Sequence, residues 1–358
     1  MNSVHLYDKL QQELREIGLP GSKSQQSNLT MLCQSMAVSA NCRLATLALG
    51  LPIPGQRENI VQRVRRLLKN EHIRPSTFYK PMTKHVMSKW TGHEVSLVMD
   101  RTDIVNRWSI LTVGAAYQKR LLPLAWDVLK FGGTSAERQI AILERVRPYL
   151  PSQEQVRVHF YGDSEFRAVP LQRYVGGHDW HWQVGLKGDV QYHVGDGCWQ
   201  ALNQIPLKQG ERSYIQGVTL TQKHEFGPVN LIAEWPEKQE HPRYWSLDLP
   251  ADKQAWRRGR KRYWTEPLYR DWKSYGFDLE ATKIDDPDRL DTLLLAMSIT
   301  TLWCIHIGDW LTRHGRRHWL EAPHKNDYSL FRLGRDHIQR ARTIDAQIPI
   351  GFTVTYAT

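Results

Sequence analysis

Between His93 and Lys187 the hydrophobic period of the chain switches to two and then alternates with helical spacing, and no other stretch restricts the fold as much. HEVSLVMDRT reads as a buried strand ending in an acid, Asp100. RWSILTVGAAYQ and LLPLAWDVLK read as two more strands, joined by polar residues from Gln118 to Arg120, so the three form an antiparallel meander. SAERQIAILERVRPYL then has helical spacing, with Ser135 as N-cap and Ile140, Leu143 and Val146 apolar. QVRVHFYGD is a fourth strand, and it too ends in an acid, Asp163. SEFRAVPLQRYV is a helix in which Pro170 needs an early turn or a kink, and WHWQVGLK is a fifth strand. Three strands, helix, strand, helix, strand predict a layered α/β sheet with both acids at related edges. Ligand sites in such sheets collect at strand ends.

The flanks differ. Residues 1–90 read as helical, and Leu29 to Leu49 keeps apolar residues at helical spacing up to Gly50, Pro52 and Pro54. ENIVQRVRRLL, Glu58 to Leu68, is a basic amphipathic helix that fits a small DNA-binding or dimerising bundle, and equally an ordinary helix with a solvated basic face. Residues 91–187 are the first part of the core, and 188–255 a strand-rich insertion with runs such as RSYIQGVTLTQ, GPVNLIAEW and RYWSLDLP. Residues 256–312 return to helix: one from Arg257 to Lys283, then a long apolar one from about Arg289 to Leu311. The C-terminal region, 313–358, is dense in arginine, a composition that invites a disorder expectation; Trp319, Leu320, Phe331 and Leu333 oppose it.

A net charge of +11 favours a polyanionic partner, nucleic acid before membrane. Fourteen Trp supply flat faces that suit unstacked bases as well as cores. Cys33, Cys42, Cys198 and Cys304 show no zinc-ligand spacing, and a reduced, cytoplasmic setting is expected. The N-terminus, MNSVHLYDKLQQELREIG, is an amphipathic polar helix rather than a signal peptide. The apolar run from Leu293 to Ile307 falls short of the roughly 20 residues of a membrane span, so a buried core helix and no membrane are expected.

The chemistry concentrates in RRGRKRYWTEPLYRDWK, which opens with Arg257, Arg258, Arg260, Lys261 and Arg262. On a continuous helix Arg262, Glu266 and Lys273 share a face, with Pro267 in the first turn. Most such faces are solvated ion pairs worth a few tenths of a kcal/mol. The reading changes when Glu266 is set beside the two strand-end acids. Asp100, Asp163 and Glu266 together offer hard oxygen ligands for two divalent ions about 3.5–4 Å apart, which suits Mg²⁺, with Mn²⁺ as a substitute. Taken singly, Asp100 reads as a turn acid and Asp163 as a helix cap. Asp103, Asp127, Glu165, Asp271 and Glu280 rank lower, because none combines an apolar run with a strand end, or lies on a cationic helix face.

With these residues in place the chain resembles the bacterial DDE transposases of the cut-and-paste insertion-sequence group, over roughly residues 95–310. Their helix pattern is Tyr-x2-Arg-x3-Glu-x6-Lys; Arg262, Glu266 and Lys273 match it, and Gly259 stands at the Tyr position. Asp100 in VMDRTDI and Asp163 in YGDSEF resemble the first and second acids of the family. The resemblance implies an RNase H-like core (a mixed five-stranded sheet with helices) interrupted by a strand-rich insertion. It also implies Mg²⁺-dependent cleavage of double-stranded DNA at transposon ends, transfer of the 3′-hydroxyl to target DNA, and a synaptic homodimer. Arg262 and Lys273 would hold phosphates. Trp245 falls where the family carries a Trp that stacks a flipped base, and a core Trp in a strand is the competing reading. Two other functions use the same residues: an RNase H-like structure-specific nuclease or resolvase, and a domesticated protein that binds DNA without cutting it.

Overall fold

The computed structural model describes residues 3–104, 107–322 and 324–355. The N-terminal part is helical: α1 (Ser3–Glu16), α2 (Lys23–Ser39), α3 (Leu44–Gly50), α4 (Arg57–Leu68), α5 (Pro75–Phe78) and α6 (Lys80–Ser88). Ser22 and Gln25 close a capping box ahead of α2: the Gln25 N–H donates to Ser22 Oγ, and the Ser22 N–H donates to Gln25 Oε1. The helical spacing from Leu29 to Leu49 is divided between α2 and α3. Ala40 takes a left-handed φ of 48°, and Asn41 Oδ1 accepts from the Arg43 N–H, a local turn that competes with helix.

β1 (Glu94–Ile104), β2 (Trp108–Tyr117) and β3 (Arg120–Lys130) form the antiparallel meander. Gln118 and Lys119 have φ of 43° and 62°, as a two-residue hairpin turn requires. α7 (Ala136–Val146) is capped by Ser135, whose Oγ accepts from the Arg138 N–H. β4 (Arg157–Gly162) is followed by a 3-10 turn, Ser164–Phe166, and by α8 (Val169–Gly177), with Pro170 in its first turn. β5 (His181–Leu186) is parallel to β4, which is parallel to β1.

Strands continue through β6 (Gln191–Val194), β7 (Gln200–Ala201), β8 (Arg212–Leu220), β9 (Phe226–Glu234) and β10 (Arg243–Leu247). The expected insertion does not stand apart from the five-stranded sheet. β10 pairs antiparallel with β5, and among the described residues the result is one sheet of ten strands, ordered β3-β2-β1-β4-β5-β10-β9-β8-β6-β7. The extra strands cover the backbone edge that β5 would otherwise expose.

The helix expected from Arg257 to Lys283 is broken. α9 (Lys253–Gly259) gives way to a 3-10 stretch, Arg260–Trp264; α10 (Thr265–Arg270) follows, then a π turn, Asp271–Tyr275, and a 3-10 turn, Leu279–Thr282. Pro267 has no N–H for the Tyr263 carbonyl four residues back, so the helix restarts with Pro267 in its first turn. The wider π turn then rotates Lys273 out of the i, i+7 relation to Glu266 that a continuous α-helix would give.

α11 (Pro287–Arg313) is 27 residues long, longer than the apolar run suggested, and is long and apolar enough to cross a membrane by length and composition. Its apolar stretch is 89% buried within the protein. Helix α2 packs on one side, where Cys33 Sγ lies 3.7 Å from the Ala296 carbonyl, and Trp126 of β3 donates its indole N–H to Asp291. α12 (Leu330–Thr343) lies across α11 and gives the basic C-terminal region an ordered core of Phe331, Leu333 and Ile338. At the crossing a Cβ on Gly334 would fall on the Cys304 carbonyl, and one on Gly308 on the Leu330 carbonyl. The main hydrophobic core runs from Leu6 to Val354.

Candidate active site

β1 and β4 pair in parallel with Glu94 opposite Arg157 and Val98 opposite Tyr161, a constant offset of 63 residues. Continued two residues beyond the last pair, that offset sets Asp163 opposite Asp100. β1 does not end at Asp100, as the sequence suggested; it runs on to Ile104 while paired only with β2, where Thr112 faces Asp100. Asp100 therefore sits where β1 parts from β4. Asp163 continues β4 in an extended conformation, and its Oδ1 accepts from the Glu165 N–H at 2.8 Å to cap the following turn. Gly185 of β5 makes room for this turn: a Cβ there would lie 2.8 Å from the Ser164 nitrogen.

Asp100 is held on both carboxylate oxygens. Oδ1 accepts from the Arg101 N–H at 2.8 Å, and Oδ2 accepts from the Thr265 hydroxyl at 2.5 Å. Tyr269 donates its hydroxyl to the Asp100 carbonyl at 2.7 Å. Thr265 and Tyr269 are four residues apart, so one face of α10 is pinned on Asp100. Burial pushes the Asp100 carboxyl up to about 6. The Thr265 and Arg101 hydrogen bonds and the nearby Arg262 charge oppose the rise, and the Asp163 charge adds to it.

Glu266 follows Thr265 and is exposed, with no hydrogen bond or ion pair among the described residues. One residue along a helix turns about 100°, so a face pinned through Thr265 leaves Glu266 pointing elsewhere. Among the described residues no three Asp, Glu, His or Cys side chains gather closely enough to hold a metal ion. As placed, the fit to a divalent metal is thus partial. Two carboxylates of the right chemistry stand on adjacent strands, Asp100 within β1 and Asp163 just past β4, and the third is one residue beyond the contact that ties α10 to Asp100.

The lower-ranked acids are occupied by cations. Glu165 pairs with Arg101 at 2.8 Å and accepts from Thr134; Asp103 pairs with Arg101; Asp127 pairs with Arg145 at 2.7 Å; and Asp271 pairs with Arg120 at 2.8 Å. Glu280 faces Lys273 at 3.7 Å. Asp100, Asp163 and Glu266 form no ion pair among the described residues.

The cations are distributed unevenly. Arg262 stacks on Tyr263, with its guanidinium carbon 4.4 Å from the ring centroid. Lys261 bonds Glu94 at 2.6 Å and Ser96 at 2.9 Å, and Lys273 faces Glu280, so neither is free for a phosphate as it stands. Arg257 and Arg260 are exposed, and Arg258 is half-buried. Trp245, 8% exposed, packs with Ile232, Leu247 and Ala255 and forms one wall of a cavity of about 250 Å³. Arg212, Arg243, Arg260, Trp256 and Tyr263 also line the cavity, and Arg212 stacks on Trp256 at 3.8 Å. At the family's Tyr position, Gly259 is pressed against the end of the Gln183 side chain, which would have to move to admit a Cβ.

No protein-family model matches the chain, and no curated protein matches it. Among solved structures it is similar to a chain of the piggyBac transposase synaptic complex with hairpin DNA, at 10% identity and a TM-score of 0.45, over 95% of this chain and 79% of that one. At this TM-score the overlap is distant.

Thr265, Tyr269 and the Arg212–Trp256 stack escaped the sequence reading. Thr265 and Tyr269 carried a usable signal, since two hydroxyl side chains four apart flank Glu266 on the face toward β1. Arg212 and Trp256 lie 44 positions apart in segments of different pattern, and nothing local couples them.

Proposed function

We propose that the chain is a DDE-type transposase that cleaves double-stranded DNA at transposon ends and transfers the 3′-hydroxyl into target DNA. The observation that carries the reading is the β1–β4 register, which extended by two residues brings Asp163 level with Asp100, with the segment that bears Glu266 bonded to Asp100 through Thr265. The order β3-β2-β1-β4-β5, with β2 alone reversed, supports an RNase H-like core. Asp100 and Asp163, with Glu266 if its side chain turned inward, would be the residues to hold Mg²⁺, or Mn²⁺ in its place. Magnesium bound there would supply activation of the attacking water or 3′-hydroxyl and neutralisation at the leaving oxygen. Thr265 and the Arg101 N–H orient the Asp100 carboxylate, and Arg262 offers its charge to the DNA backbone beside it. The cavity between Trp245 and Trp256 has the stacked aromatic and guanidinium surfaces that an unstacked base fits. The protein works as a homodimer with both ends in one synaptic complex, in the bacterial cytoplasm on nucleoid DNA and not at a membrane.

One observation favours a second reading, DNA binding without cleavage: Glu266 stands in solvent and the three acids do not converge as placed. The test is incubation with Mg²⁺ and duplex DNA taken from the flanks of the protein's own reading frame. Cleavage by the wild type, lost in Asp100→Asn, Asp163→Asn and Glu266→Gln, is the expected result. Full cleavage by any variant removes that residue from the site. Retained DNA binding with no cleavage by the wild type selects the second reading.

A further inference from the structure

We propose that the junction between α11 and α12 is a second contact for duplex DNA, in which Arg316, packed against the rings of Trp310 and Trp319, binds a backbone phosphate. This rests on the reading of DNA as the partner, and not on cleavage at the acids.

From Arg313 to Arg342 the chain carries eight Lys and Arg against three Asp and Glu. The neighbouring acids are mostly spent. Asp309, fully buried, pairs with Arg313 at 2.8 Å; Glu321 pairs with Arg317; and Asp336 pairs with Arg332 and Arg335. Asp327 stays exposed two residues from Lys325. Arg316, Lys325 and Arg340 have no acidic partner among the described residues. A cation at a helix C-terminus gains from the helix dipole without any ligand, so excess charge alone would not make a site.

The geometry around Arg316 goes further. Gly315, at φ 65°, turns the chain back at the end of α11, and the Arg316 N–H donates to the Leu311 carbonyl at 2.8 Å. The Arg316 guanidinium carbon then lies 4.6 Å from the Trp310 ring centroid and 4.8 Å from that of Trp319. Trp319 is 39% exposed; its ring stacks on buried His337 at 6.0 Å, and its carbonyl accepts from Arg340 at 2.7 Å. The Arg316 guanidinium donates no hydrogen bond to the protein among the described residues. A guanidinium packed against two indole rings has already given up much of its rotamer freedom, and its N–H groups remain for a phosphate acceptor.

This site is remote from the acids. Tyr117, at the end of β2, donates to Asp309, one turn of α11 before Arg313. Tyr117 is five residues beyond Thr112, the partner of Asp100, so the separation along the sheet is about 17 Å. Phosphates at both places fit either one duplex lying along the sheet or two separate duplexes.

The test is fluorescence anisotropy of a labelled duplex against the full chain, between about 50 and 200 mM salt. The variants are Arg316→Gln/Arg340→Gln and, separately, Lys325→Glu, an exposed loop change that spares the packed rings. The expected result is a slope of log K against log salt shallower by about 0.9 for each phosphate that is no longer neutralised, with weaker binding at low salt. Unchanged slope and affinity in both variants, beside a wild type that binds steeply, overturns this surface alone. A wild type with no salt-dependent duplex binding overturns DNA as the partner as well. An equal loss against a polyglutamate probe would assign the surface to acidic chains instead.

Discussion

The Thr265 hydroxyl donates to Asp100 Oδ2 at 2.5 Å, joining two positions 165 residues apart, the first core strand and the helix that carries Glu266. Thr265 is fully buried, so the bond has no competition from water. It makes the position of α10 a function of the Asp100 side chain.

Thr265→Val keeps the volume and leaves Asp100 Oδ2 without its donor. The expected loss is about 1–3 kcal/mol, the cost of an unsatisfied buried acceptor. Thr265→Ser should recover most of it. Urea denaturation of the three proteins measures both; equal midpoints for Val and Thr would show that the bond contributes nothing.

Gly334→Ala should be far more damaging than its single methyl suggests. The new Cβ meets the backbone of α11 at Cys304, which no rotamer change relieves. The two helices must separate, at a cost of about 3 kcal/mol or more. Gly55→Ala, also at a glycine but with open space around the added Cβ and a positive φ, is the control for backbone strain alone. A smaller loss for Gly334→Ala than for Gly55→Ala would contradict the packing seen at the crossing.

Asp291 gives a pH signature. Burial pushes its carboxyl up to about 6; the Trp126 indole N–H and Arg145 oppose this, and Asp127 and Asp288 reinforce it. The folded protein then binds this proton more tightly than the unfolded chain, so its contribution is present below about pH 4 and is lost as pH rises through 6. Asp291→Asn should match the wild type near pH 4 and be more stable near pH 8, by up to about 3 kcal/mol. Denaturation midpoints across that range measure the difference; parallel curves would rule out the linkage.

Much of the core was legible, for a physical reason. Buried strands such as HEVSLVMD and QVRVHFYGD show their pattern locally, and Ser135 and Pro170 mark helix starts through backbone chemistry alone. What escaped depends on distant partners. β10 joins β5 because that edge is open, which no run within 188–255 announces. The face shared by Arg262, Glu266 and Lys273 assumed an unbroken α-helix; Pro267 and the π turn at Asp271 divide it, and Lys273 ends beside Glu280. In the basic tail the apolar residues that opposed disorder, Phe331 and Leu333, are buried in α12, but the fit of Gly308 and Gly334 that lets α12 lie on α11 has no local signal. Of the three acids, the alignment of Asp100 and Asp163 follows from strand register, whereas the direction of Glu266 depends on how α10 is pinned.

The most direct measurement is anomalous scattering from Mn²⁺ in crystals of the protein with end DNA. The expected result is a manganese peak shared by the Asp100 and Asp163 carboxylates, with Glu266 rotated in to complete its coordination. Manganese held by other side chains, or a space between Asp100 and Asp163 that stays empty of metal while DNA is bound, would contradict a common metal site for the three acids.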